Sequence, residues 1–149
     1  MGKTILLGFL AGFLAVLVFH QGTVFLLHHW GNAVPAVVRV LGRTAGPAFS
    51  MAGVPPFGVP RVISLAFWGG VWGILLAGLI RRRPWSDLLI GFLFGAVAAT
   101  LVGFTLVARL RGVPVFAGGN LQAWLRAGLL NGAWGWGTAL LLRPLLRLR

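Results

Sequence analysis

Four apolar stretches, each close to the length that an α-helix needs to cross a lipid bilayer, most constrain this sequence. They cover residues 5–27, 62–80, 88–108 and 121–142. A helix crosses the hydrocarbon layer with roughly 20 residues. Four such stretches in a chain of 149 residues leave no length for a soluble domain. The sequence therefore predicts an all-α, polytopic transmembrane four-helix bundle that forms a single domain.

The composition agrees with this prediction. Hydrophobic residues make up 58% of the chain and charged residues 9%, whereas an ordinary globular domain carries about 25% charged residues. The formal net charge is +12, but the basic residues lie mostly at the ends of the apolar stretches. This placement is typical of contacts with lipid headgroups. We expect the lipid bilayer as a partner and no nucleic acid.

Arginines also indicate how the chain crosses the membrane. Arg81, Arg82 and Arg83 occupy a very short loop, and a second cluster runs from Arg143 to Arg149. Because positive charge in short loops favours the cytoplasmic side, we expect this loop and both termini in the cytoplasm of a bacterium, with the chain in the inner membrane. The first stretch is longer than the apolar part of a secretory signal, about 7–15 residues, so we expect it to be retained.

The one long connection, residues 31–61, is then external. Pro35 is expected to open a short helix that extends to Arg43 and lies in the headgroup layer. Four further prolines restrict the chain between this helix and the second span: Pro47, Pro55, Pro56 and Pro60. Proline fixes the backbone φ angle, so we expect a rigid cap on the external face rather than a floppy loop.

Two short segments are repeated in the same order in each half of the chain. The sequence GFLAG at residues 8–12 is similar to GFLFG at 91–95, and GVWG at 70–73 is similar to GAWG at 132–135. This order favours a duplicated helical hairpin whose halves are related by an axis along the membrane normal. Chance repetition of common residues is the alternative.

Glycines spaced four apart occur in every predicted span. The pairs are Gly8 and Gly12, Gly69 and Gly73, Gly91 and Gly95, and Gly128 and Gly132. Two missing side chains on one face let helix backbones approach closely. These faces serve packing within the chain or contact with another subunit. The tryptophans inside the spans are expected to fill the notches beside these glycines: Trp68, Trp72, Trp134 and Trp136.

Few polar side chains fall inside the spans. They are His20, Gln21, Thr105 and Asn131. Polar groups in hydrocarbon are costly, which makes them candidates for a functional site. Asn and Gln also join helices by hydrogen bonds worth about 0.6 kcal/mol on average. The sequence leaves open whether these residues form a polar intramembrane site or hold helices together.

Residues at the ends of the spans are expected to contact headgroups or a partner. They are His28, His29, Trp30, Arg81, Arg82 and Arg83. Haem ligation is the sharpest hypothesis that the histidines support, because His20, His28 and His29 are potential axial ligands. All three lie on one helix, so a pair of facing ligands requires a dimer. The sequence therefore predicts no cofactor and no metal.

Catalytic chemistry has little support. Asp87 is the only acidic residue, so the sequence excludes a pair of catalytic carboxylates within one chain. Ser50 and Ser64 have no base and orienting acid in an evident arrangement. We predict that the protein is not an enzyme.

Several segments resemble a family of short, uncharacterised four-span membrane proteins of proteobacteria. They are HQG at residues 20–22, the segment at 55–73 that contains FGVP and SLAFWGGVWG, and NGAWG at 131–135. The resemblance implies a bacterial inner membrane. It also implies that His20, Gln21 and Asn131 belong to one site.

Two functions follow as hypotheses. The first is an accessory or scaffold subunit that packs into a larger membrane complex through its glycine-rich helix faces. The alternative is a homo-oligomeric channel or carrier for small solutes, with a polar site around His20 and Asn131. Four spans with so few polar residues do not enclose a pore alone, so this alternative requires several copies of the chain.

Overall fold

The structure is a computed structural model that describes residues 2–81 and 86–147. It is mostly helical, as the sequence predicts. Arg82, Arg83 and Trp85 lie outside the described residues. The helices are α1 (Gly2–Ala33), α2 (Pro35–Leu41), α3 (Arg61–Ile80), α4 (Asp87–Leu110) and α5 (Leu121–Arg147).

Three of the described helices, α1, α3 and α4, are long and apolar enough to cross a membrane. They cover the first three predicted spans. The fourth predicted span lies within α5, which is 27 residues long but less apolar than the other three. Its first half carries Gln122, Arg126 and Asn131, which lower its mean hydropathy.

Local irregularities distinguish α1 and α4 from the other long helices. The hydrogen-bond spacing widens to a π-helical turn at Val16–His20 in α1. Two such turns lie in α4, at Phe94–Ala99 and Gly103–Val107. Turns of this kind occur frequently at functional sites, and the one in α1 ends at His20.

The long connection contains the predicted short helix, α2, which begins with Pro35 in its first turn. It ends at Leu41, because Gly42 adopts a φ of 70° that ordinary side chains rarely adopt. Arg43 therefore lies beyond the helix, which is shorter than predicted. The proline-rich part forms a small antiparallel hairpin in which β1 (Gly53–Val54) pairs with β2 (Val59–Pro60).

Helices α1 and α3 pack through their glycines. A Cβ atom added at Gly8 would collide with the carbonyl oxygen of Gly73, and one added at Gly12 would collide with that of Gly69. A Cβ at Gly70 would meet the ring of Phe9. The two backbones are therefore as close as glycine permits, and larger residues are excluded at these positions.

Helices α4 and α5 repeat this arrangement. A Cβ at Gly91 would collide with the carbonyl oxygen of Gly135, and one at Gly95 with that of Asn131. A Cβ at Gly132 would meet the ring of Phe92, as at the related position of the first pair. Gly128 differs, since an added Cβ would make only an ordinary contact with the carbonyl oxygen of Ala96.

The core lies where the two pairs meet, between α1 and α5. Trp134 of α5 is 3% exposed, and its indole nitrogen donates a 3.0 Å hydrogen bond to the carbonyl oxygen of Gly12. Its ring fills the space above Gly69, as predicted for a tryptophan beside a glycine notch. Trp68 and Trp136 differ from that expectation, because both remain exposed.

Candidate functional site

His20 and Gln21 form one polar group inside α1. The backbone N–H of Phe49 donates to Gln21 Oε1 at 2.7 Å. Because an N–H group can only donate, this bond fixes the orientation of the Gln21 amide. The amide nitrogen then donates to His20 Nδ1 at 3.2 Å. His20 is therefore a neutral imidazole with its proton on Nε2.

The loop between α2 and α3 positions this pair. Gln21 is only 4% exposed, because the loop packs against its side of α1. Phe49, with a φ of 56°, turns its N–H towards that side chain. An apolar helix thus holds a buried amide because the loop supplies its hydrogen-bond partner.

A cavity of about 200 Å³ lies beside His20 and Gln21. Its polar lining comes from these two residues, Ser50 and Arg61, and the rest of the lining is Val24, Gly46, Pro47, Val62 and Leu65. Ser50 Oγ also accepts a weak bond from the N–H of Ala52 at 3.4 Å. The cavity therefore combines hydrogen-bond donors with apolar walls.

Asn131 belongs to a second polar group, on the contact between α4 and α5. Its amide nitrogen donates to Thr100 Oγ1 at 2.9 Å, and that hydroxyl donates to the carbonyl oxygen of Gly95 at 3.3 Å. Thr100 is buried. The bond from Asn131 to Thr100 joins α5 to α4, which corresponds to the interhelical role that is one of the two expectations for Asn131.

Thr105 stands apart from both groups. Its hydroxyl donates to the carbonyl oxygen of Leu101, one turn earlier on the same helix, at 2.7 Å. A bond of this kind satisfies the hydroxyl without a partner helix. The hydrogen bonds therefore divide the predicted polar site into His20 with Gln21, Asn131 with Thr100, and Thr105.

The end of α1 holds the loop through Asn32 and Thr44, which the sequence did not single out, and through His28, which was expected to contact headgroups or a partner. Thr44 is bound by Asn32, which accepts from its N–H and donates to its carbonyl oxygen, both at 2.9 Å. His28 Nδ1 donates to the same carbonyl at 3.0 Å. His29 and Trp30 remain exposed and contact the ring of Phe25. His28 thus anchors the loop.

Two residues of α5 cap the carbonyl end of α2. Gln122 donates to the carbonyl oxygen of Arg39 at 2.9 Å, and Arg126 donates to that of Leu41 at 2.6 Å. The last carbonyls of a helix have no partner within it, and a cation there also matches the helix dipole. The spacing of four places both side chains on one face of α5, but it does not indicate which helix they cap.

At the opposite end, each helix pair is joined by an arginine. Arg81 donates to the hydroxyl of Thr4 at 3.2 Å. Arg143 Nε lies 3.9 Å from Asp87 Oδ2, which is an ion pair longer than a hydrogen bond. Of the three arginines predicted to contact headgroups, Arg81 is therefore bonded within the chain, and Arg82 and Arg83 lie outside the described residues.

A second cavity, of about 340 Å³, lies at the end of α4. Its lining is apolar apart from Arg111: Gly103, Phe104, Val107, Ala108, Val113, Pro114 and Ala117. Within the described ranges, no group of three or more His, Cys, Asp or Glu side chains is placed to hold a metal ion.

Comparison with known proteins gave no match to a family model, a curated protein or a solved structure. The function is therefore inferred from the geometry of the chain itself.

Proposed function

We propose that the chain is an integral protein of a bacterial inner membrane in which α1, α3, α4 and α5 all cross the bilayer. The moderate hydropathy of α5 is compatible with crossing, because this helix lies between its partners and buries Trp134, Thr138 and Ala139. The arginine loop and both termini are on the cytoplasmic side. The loop between α2 and α3 then caps the external face.

The matched contacts of the two helix pairs support a duplicated hairpin. Gly8 meets Gly73 as Gly91 meets Gly135, and the same separations along the chain relate Phe9 to Phe92 and Gly70 to Gly132. The related arginines, at positions 81 and 143, each contact the first turn of the preceding helix in their pair. Agreement in contacts as well as in sequence favours duplication over chance.

The biochemical role that we propose is an accessory or scaffold subunit that docks onto a larger membrane complex. One observation carries this proposal. In the most apolar 18 residues of α4, 17% of the residues are buried within the chain, against 39% in the corresponding part of α3. Most of the surface of α4 is therefore left for other apolar groups. Large side chains cover that surface: Leu89, Leu93, Val97, Leu101 and Leu106.

The glycine faces do not supply this docking surface. Gly8, Gly12, Gly91 and Gly95 are already in backbone contact within the chain. A leucine at these positions would disrupt the protein itself before it affected a partner. The proposed docking surface is therefore the outward side of α4, and it does not include the glycine pairs.

Native mass spectrometry of the protein, extracted mildly from its own membranes, tests this role. We expect a hetero-complex of defined stoichiometry. A Val97→Trp variant should release the partner, while Leu75→Trp, on an equally exposed position of α3, should retain it. A closed homo-oligomer without other chains would overturn the proposal and favour the channel or carrier instead, to be followed by solute flux through His20→Ala.

A further inference from the structure

The cavity beside His20 has a defined set of hydrogen-bond donors. The Gln21 amide occupies His20 Nδ1, so the proton of the neutral ring is on Nε2, and this N–H is available to a ligand in the cavity. Arg61 adds a guanidinium group with five N–H donors. Ser50 adds a hydroxyl. A ligand rich in acceptor oxygens fits this set.

The positive charge of Arg61 favours an anionic ligand over a neutral one. Asp87 is the only acidic residue of the sequence, and it pairs with Arg143. No acidic side chain of this chain therefore neutralises Arg61, which lies at the first position of α3 and lines the cavity. An anion from outside the chain is the natural partner of that guanidinium. Phosphate is favoured because arginine binds its oxygens through two parallel hydrogen bonds.

The size and position of the cavity limit the ligand further. Its volume, about 200 Å³, is below the roughly 300–1,000 Å³ of pockets that hold drug-sized ligands. It has room for a phosphate group. Arg61 also begins a helix that is apolar enough to cross a membrane, which puts the cavity near the depth of the lipid phosphates.

We propose that this cavity binds one phosphate group, either as part of an anionic phospholipid or as free inorganic phosphate. Arg61 supplies the charge, and His20 Nε2–H and the Ser50 hydroxyl complete the hydrogen bonds. Gln21 acts indirectly, by holding the His20 ring in the tautomer that donates. The site is independent of the proposed docking surface, which lies on α4.

Two measurements separate the sources of the phosphate. The first is native mass spectrometry of lipids that stay bound after mild extraction, for the wild type and for Arg61→Gln. The second is calorimetric titration with inorganic phosphate in a maltoside detergent, which carries no phosphate group of its own. Arg39→Gln is the matched control, since Arg39 is an exposed arginine on the same side of the bundle and outside the cavity lining.

We expect Arg61→Gln to weaken phospholipid retention roughly tenfold, the size of one charge-assisted hydrogen bond, and Arg39→Gln to leave it unchanged. Unchanged lipid retention with saturable phosphate binding that is lost in Arg61→Gln would identify free phosphate as the ligand. His20→Leu should weaken the same binding, and His20→Gln, which keeps a donor, should weaken it less. Equal lipid retention and equal phosphate binding in all four variants would overturn the proposal. Thermal unfolding of each variant, compared with the wild type, excludes misfolding as the cause.

Discussion

In the first helix pair, α1 and α3, Gly12 lies against Gly69, whereas in the second pair, α4 and α5, Gly95 lies against Asn131. The backbones approach each other closely in both pairs. The related residue is a glycine in one pair and a polar side chain in the other. Close backbone contact thus sets the pairing of helices in both cases. The residue at the contact, Gly69 or Asn131, has a different role in each pair.

The roles of Gly69 and Asn131 differ because Gly69 also faces the other helix pair, whereas Asn131 contacts its own pair. At Gly69, an added Cβ would meet Val16 and lie 3.1 Å from the indole nitrogen of Trp134. A side chain there would displace the tryptophan that joins the pairs. Asn131 instead turns to Thr100 within its own pair. The first pair therefore supplies the notch that holds Trp134 of the second pair, while the second pair holds its own helices together with a hydrogen bond.

The largest expected effect comes from filling the shared backbone contact. We expect Gly12→Leu and Gly95→Leu each to lower the free energy of unfolding by about 3 kcal/mol, because the new side chain collides with the facing backbone. Gly22→Leu and Gly103→Leu are the controls, since an added Cβ at either meets no atom within 4 Å. Thermal unfolding in detergent measures all four. A silent Gly95→Leu would show that the two pairs are not equivalent.

A smaller effect should follow from changing the tryptophan between the pairs. We expect Trp134→Phe to cost about 1–2 kcal/mol, because it removes the hydrogen bond to Gly12 and part of a buried ring. Trp72 is at the related position of the first pair, is half-buried and contacts the ring of Phe94. Trp72→Phe should therefore cost less in the same unfolding assay. Equal losses would contradict the asymmetry described above.

The Asn131–Thr100 bond should contribute less again. A double-mutant cycle with Asn131→Ala and Thr100→Val isolates the interaction between the two side chains. We expect a coupling energy of about 0.6 kcal/mol, the average for hydrogen bonds between membrane helices. The cycle is measured by equilibrium unfolding in mixed micelles. A coupling near zero would mean that packing alone holds α4 against α5.

The smallest effect is expected at the ends of the pairs. Asp87→Thr gives the second pair the same partners as the first, in which Arg81 contacts Thr4. Asp87 and Arg143 are each about a third exposed and 3.9 Å apart, so we expect a loss of about 0.5 kcal/mol or less. High salt should remove the difference between variant and wild type in a melting experiment, because it screens the exposed ion pair. A loss that persists in high salt would contradict an electrostatic cause.

The sequence was most informative where a pattern is local. Apolar stretches predicted α1, α3 and α4, and Pro35 predicted the start of α2. The glycine spacing marked Gly8, Gly12, Gly91 and Gly95, whose lack of a side chain is a property of the residue itself. Gly128 shows the limit of such a pattern, since Gly135, two turns further along, makes the closer contact.

The polar residues were less predictable because their roles depend on distant partners. The residues left open whether His20 and Asn131 form one polar site, and their hydrogen bonds run to different elements. Gln122 and Arg126 resembled ordinary residues at a helix start. Their role as a cap arises only because α2, more than 80 residues earlier in the chain, lies beside them.

The formation of long apolar helices, and the helix faces that lack side chains, follow from the sequence, since hydrophobicity and glycine spacing act over a few turns. The folded chain adds the pairing of the helices, the bond through which Trp134 joins the two pairs at Gly12, and the cavity at His20 and Arg61. These features depend on contacts between residues far apart in the chain. No local pattern encodes the partner that satisfies a buried polar group.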